Sequence, residues 1–172
     1  MSKISWWYTE IGQNELANVL DAFKDRCFSI GSVTAELERS IASALNIPYV
    51  VLTNSGTSAL TMALLAAEVR CGDEVILPDL TWIATAQAVA VLGAKVVLVD
   101  CCPDKPLIDV EEVKKKLTKK TKVIIPVHLN GRACDLNELK SIAKDSNILL
   151  IEDSCKAFAS KSSEGYLGTI GD

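Results

Sequence analysis

Apolar residues recur at two different spacings along this chain. Between residues 14 and 45 they come three and four apart: Leu16, Ala17, Val19, Leu20 and Phe23, then Leu37, Ile41, Ala44 and Leu45. That spacing gathers them on one helical face. It predicts a helix over 14–23 capped by Asn14 and a second from Thr34 to residue 45, stopped by Asn46-Ile47-Pro48. From residue 49 the pattern changes. Nearly unbroken runs of Val, Ile and Leu at 49–53, 74–77, 95–100, 122–128 and 148–153 alternate with helical stretches at 57–69, 82–92, 110–117 and 136–145. Strands without polar alternation are those buried on both faces, as in a parallel sheet covered by helices. The expected architecture is α/β: an N-terminal helical segment, 1–48, then a mainly parallel sheet with helices on both faces, 49–172. Residues 1–12 read as extended. Residues 160–172, rich in Ser and Gly, read as a turn-rich connection.

Composition narrows the class. The chain has 172 residues, 49% of them hydrophobic and 23% charged, which suits one globular domain with a substantial core. A net charge of −4 gives no electrostatic reason for a nucleic acid or an anionic membrane as partner. The lysines within 114–122 follow Glu111-Glu112 and read as a solvated helix end. Six cysteines without a CxxC pair, and a single histidine, His128, argue against zinc or another metal. The N-terminus, with Trp6-Trp7-Tyr8-Thr9-Glu10, lacks the apolar core of a secretion signal. The cysteines therefore read as free thiols of a reducing compartment, and the location as cytoplasmic. The longest apolar stretch, 84–99, is interrupted by Gln87, Gly93 and Lys95 and does not read as a membrane span.

Ligands of open parallel sheets gather at the carboxyl ends of the strands. After the first run comes Asn54-Ser55-Gly56-Thr57-Ser58, a small polar turn opening a helix. Such a turn is either an ordinary N-cap or a phosphate cradle of free backbone N–H groups. After the second comes Thr81-Trp82. The fifth ends in Glu152-Asp153-Ser154-Cys155-Lys156. An anion cradle, an indole and a carboxylate on one rim suit a phosphorylated aromatic cation, and pyridoxal 5′-phosphate (PLP) fits. Gly56, Thr57 and Ser58 would take the phosphate and Trp82 the ring face. Asp153 would take the pyridine nitrogen, favouring its protonated form. Each has a plainer reading beside it: Trp82 as a core residue at a helix start, Asp153 as a turn or cap residue, Lys156 as a solvated side chain, His128 as a satisfied core imidazole. A dinucleotide site is disfavoured because no GxGxxG follows the first run.

The motifs, in their order, resemble the DegT/DnrJ/EryC1/StrS family of PLP-dependent sugar aminotransferases. The resemblance rests on Asn54-Ser55-Gly56-Thr57-Ser58-Ala59-Leu60, on Gly72-Asp73-Glu74-Val75-Ile76 with Thr81-Trp82, and on Ile151-Glu152-Asp153. It rests equally on Pro126-Val127-His128-Leu129 and on the closing Gly165-Tyr166-Leu167-Gly168-Thr169-Ile170-Gly171-Asp172. It implies the large domain of a fold type I, aspartate aminotransferase-like enzyme. That enzyme would move an amino group, from glutamate, to a keto-sugar nucleotide, and would work as a homodimer. It implies that the Schiff-base lysine and the small C-terminal domain lie beyond Asp172, so that 49–172 would be an incomplete large domain. It also shows a departure. Lys156 stands three residues after the pyridine aspartate, where the family has Gln or His near the ring oxygen. Two other readings stay open beside the aminotransferase: a sugar dehydratase of the same family, and an inactive truncated or regulatory remnant.

Overall fold

A computed structural model describes residues 9–172; of the expected extended start, 1–12, residues 1–8 lie outside the described residues. Among the described residues, six α-helices and a four-stranded parallel sheet carry the fold. Helices α1 (Gln13–Lys24) and α2 (Ser32–Leu45) come first. Then follow α3 (Gly56–Ala66), β1 (Glu74–Pro78), α4 (Ile83–Ala90), β2 (Lys95–Val99), α5 (Val110–Lys116), β3 (Thr121–Ile124), α6 (Leu136–Ser146) and β4 (Leu149–Leu150). The caps of α1 and α2 are Gly12 and Gly31, not Asn14 and Thr34. Where a polar residue caps by its side chain, the cap is Ser55, Asp109 or Asp135.

The sheet order is β2-β1-β3-β4, every pair parallel. Period-2 alternation sends Val75 and Leu77 of β1 to one face and Ile76 to the other. Val123 and Ile125 are likewise separated from Ile124 between them. One face packs under α3 and α4 with Leu60, Leu64, Ala88 and Val89. The opposite face packs under α5 and α6 with Val110, Val113, Leu136, Leu139 and Ile142. The sheet is thus a layer between two helical layers, as the apolar runs predict. The chain leaves β1 toward β2, then returns to the other side of β1 to lay down β3. This reversal opens a crevice at the carboxyl ends of β1 and β3, the place where such sheets take ligands.

Three expectations are corrected. Residues 49–53 are not a strand: none of the described strands pairs with them, Tyr49 and Val51 are exposed, and the Leu52 N–H donates to Glu38 Oε1 at 3.0 Å. An apolar run states a wish for burial; a strand needs a neighbour to bond. Strand β2 lies at the sheet edge, so Leu98 is exposed although its run reads as buried on both faces. Strand β4 is also shorter than 148–153. Its ladder nonetheless continues irregularly past Pro126, which has no N–H, through a bridge between Val127 and Asp153. The turn-rich tail contains a small antiparallel hairpin, β5 (Lys161–Ser162) with β6 (Gly165–Tyr166).

Helix α3 depends on its cap. Ser55 Oγ accepts from the Ser58 N–H at 3.1 Å and lies 3.0 Å from Ser58 Oγ. Replacing Ser55 by Ala should lower stability by about 1 kcal/mol in chemical denaturation; an unchanged midpoint would show the cap to be dispensable.

Candidate active site

The crevice is built from four loops. Helix α3 presents its N-terminus to it. The cap uses the N–H groups of Ser58 and Ala59, and leaves those of Gly56 and Thr57 without a partner among the described residues. These two residues line the cavity. Ser58 is locked into the cap with Ser55 and does not line it. After β1, Leu80, Thr81 and Trp82 form one wall. Trp82 is the cap position of α4 and 77% exposed, an indole held over open space rather than in a core. After β3 come Val127 and Leu129, and after β4 come Asp153, Cys155 and Lys156. The cavity has a volume of about 520 Å³.

Asp153 is the most constrained of these residues. Its backbone is tied on both sides, with its N–H to the Pro126 carbonyl at 2.9 Å and its carbonyl accepting from His128 N–H at 3.0 Å. Its carboxylate is buried and accepts from Thr85 Oγ1 at 2.9 Å and from the Cys155 N–H at 3.2 Å. An ionised carboxylate has about four acceptor positions, so these bonds leave acceptor capacity on a side chain that lines the cavity. Neither protein donor carries a charge, so the site is suited to a cationic N–H. Burial pushes the Cys155 thiol up to about 11, with the hydrogen bond and charge of Asp153 acting in the same direction. At neutral pH it is a neutral thiol and a poor nucleophile. Gly56 packs closely on Cys155: a Cβ there would lie 3.0 Å from Cys155 Sγ, which would have to shift by a few tenths of an ångström.

His128 is not in the cavity. It is fully buried; its Nδ1 accepts from the Cys134 N–H at 3.2 Å, which leaves Nε2–H to donate to Glu152 at 2.8 Å. The core-imidazole reading describes it. Glu152 also accepts from the N–H groups of Gly168, Ile170 and Gly171 at 2.7–2.9 Å, pinning the 168–171 loop behind the site. Sequence reading names neither this role nor Thr85. Thr85 had a signal, because three residues after Trp82 on one helix is the same face. A second cavity, of about 650 Å³, lies beside β4 and α6 with Lys140, Lys144 and Asp172 on its walls. It brings together no aromatic face and no buried carboxylate.

The unpartnered helix N-terminus, the exposed indole and the partly satisfied buried carboxylate fit a phosphorylated aromatic cation. The comparisons agree. Residues 9–172 match the DegT/DnrJ/EryC1/StrS aminotransferase family. The chain belongs to that family. Among its relatives, GDP-perosamine synthase of Escherichia coli O157:H7 is 39% identical over 144 residues, 84% of this chain and 40% of the relative. Of solved structures, the aminotransferase from Psychrobacter cryohalolentis superposes with a TM-score of 0.90 at 30% identity, covering 94% of this chain and 42% of that one. NtdA from Bacillus subtilis, with its bound cofactor pyridoxamine 5′-phosphate (PMP), superposes at 0.79 and 33% identity, covering 84% and 34%. The fold is therefore that of PLP-dependent sugar aminotransferases, and the chain spans about two fifths of the length of the relatives it matches. PLP is the cofactor of this family. No helix among the described residues is long and apolar enough to cross a membrane.

Proposed function

We propose that this chain is the cofactor-binding part of a PLP-dependent aminotransferase acting on a keto-sugar nucleotide, with glutamate as amino donor. One observation carries the reading: Asp153, Trp82 and the α3 N-terminus, from three separate segments, converge on one cavity. The Gly56 and Thr57 N–H groups hold the phosphate, aided by the helix dipole. Trp82 covers the ring face. Asp153 holds the proton on the pyridine nitrogen through its free acceptor positions. Lys156, on the cavity wall, donates to the ring oxygen in place of the Gln or His of the family. When bound, PLP supplies an electron sink for proton movement at the carbon bearing the amino group. The lysine that anchors it is expected after Asp172, together with the small domain. Residues 9–48, with α1 and α2, are then a helical arm leading into the large domain. The exposed Phe23, Phe28, Ile30 and Val33 on that arm support a homodimer, in which they are covered.

Calorimetric titration with PMP, which needs no covalent anchor, tests the site. One molecule should bind per chain, and Trp82→Ala should weaken binding about tenfold, the worth of a ring-stacking contact. No binding by the parent chain would remove the reading. In protein that also carries the lysine segment, glutamate and a keto-sugar nucleotide should yield the amino sugar. A deoxy product would assign the dehydratase reaction instead.

A further inference from the structure

Thr85 is fully buried, yet it is polar and lines the cavity. Its hydroxyl donates to Asp153 Oδ2 at 2.9 Å, and its oxygen lies 3.0 Å from Thr81 Oγ1. A hydroxyl has one proton, and an ionised carboxylate only accepts. With the Thr85 proton on Asp153, the bond between the two threonines must run from the Thr81 O–H to Thr85 Oγ1. The direction of the whole relay is therefore fixed: Thr81 to Thr85 to Asp153. Local folding explains why the parts meet. Thr81 precedes α4, Trp82 is its cap and Thr85 closes its first turn, with the Thr85 N–H on the Trp82 carbonyl at 3.1 Å. One helical turn thus carries both the indole and the donor that reaches across to the end of β4.

We propose that Thr85 is a positioning residue for Asp153. Its hydroxyl, oriented by Thr81, holds the carboxylate in the single rotamer that leaves acceptor positions toward the cavity. The proposal rests on the PLP reading for its chemical consequence but not for its structural one. Without Thr85 the carboxylate keeps only the donors of Cys155, its N–H and its thiol, both two residues along the same loop, and turns about its χ1. A turning carboxylate pairs poorly with a fixed ring nitrogen, so the nitrogen loses its proton at lower pH. The titratable groups on the cavity wall are Asp153, Cys155 and Lys156. Only Asp153 gains or loses a hydrogen-bond partner in this change.

The test compares the chain with Thr85→Val, which keeps the shape, and Thr85→Ser, which keeps the hydroxyl. In the cofactor-free protein, side-chain couplings of Asp153 should report one χ1 rotamer for the parent and for Thr85→Ser, and averaging for Thr85→Val. With ¹⁵N-labelled PMP bound, the pH at which the ring nitrogen loses its proton should fall by about one unit in Thr85→Val and return in Thr85→Ser. An unchanged rotamer and an unchanged midpoint in Thr85→Val would overturn the proposal. So would a lower melting temperature as its sole effect, which makes Thr85 a packing residue. If the parent chain does not bind PMP, the PLP reading fails while the rotamer measurement still decides the role of Thr85. If Thr85→Val does not fold, Thr81→Val interrupts the same relay from its half-buried end; there, unchanged couplings overturn the proposal.

Discussion

Asp153→Ala weakens PMP binding by about 30-fold or more. Asp153 is buried, it lines the cavity with acceptor capacity to spare, and truncating one partner of a buried charged pair costs about 2–5 kcal/mol. Asp153→Asn is the finer instrument, because it keeps the shape and removes the charge. Thr85 and the Cys155 N–H then meet a side chain with one acceptor oxygen in place of two. The ring nitrogen, facing a neutral amide, is no longer held protonated. Binding should weaken by less than in the alanine variant. Turnover of the protein carrying the lysine segment should fall by about 10²–10³, the scale on which a preorganised charge at a reacting centre acts. Binding of PMP to Asp153→Ala with parent affinity would remove Asp153 from the site.

Glu152→Ala has the largest expected effect on stability. It leaves the His128 Nε2–H and the three N–H groups of Gly168, Ile170 and Gly171 without their acceptor. A loss of about 3–5 kcal/mol follows, as for breaking a buried pair from one side. The carboxyl also makes stability depend on pH. Burial pushes its pKa up, but the bonds from His128, Gly168, Gly171 and Ile170 outweigh burial and bring it from the ordinary 4.5 down to about 2. A carboxyl depressed in the folded state stabilises above its unfolded value and ceases to as pH falls toward its folded one. About 3 kcal/mol should therefore be present above pH 5 and vanish between 4.5 and 2. Denaturation midpoints measured across that range, in parent and variant, check both statements. The amides of Gly168, Ile170 and Gly171 should lose their exchange protection in Glu152→Ala; retained protection would contradict this account of the loop.

The layered fold was legible because it follows from local chemistry. Val75, Ile76 and Leu77 cannot be followed by the helical spacing of 83–90 without a strand, a turn and a covering helix. The order of the motifs along the chain by itself points to the family. The neighbour relations were not legible. Nothing in the run 95–100 says that β2 is an edge, and nothing in 49–53 says that no described strand lies beside it, because both depend on the order in which strands assemble. The site shows the same division. Gly56, Thr57, Trp82 and Asp153 sit at strand ends and helix starts, positions that a sequence exposes. Ser58 carries the same side-chain chemistry as Ser55, yet the first turn uses it to close the cap. Thr85 and Glu152 act through partners 68 and at least 16 residues away, and such pairings exist only once the sheet has formed.

The central claim is that one rim, and not the larger cavity beside α6, receives the cofactor. Backbone and indole NMR spectra of the chain, recorded as PMP is added, test it residue by residue. The predicted result is saturable shifts at Gly56, Thr57, Thr85, Asp153 and Cys155 and at the Trp82 indole, with none at Lys140, Lys144 or Asp172. Shifts confined to those last three residues, or no saturable shifts at all, would contradict it.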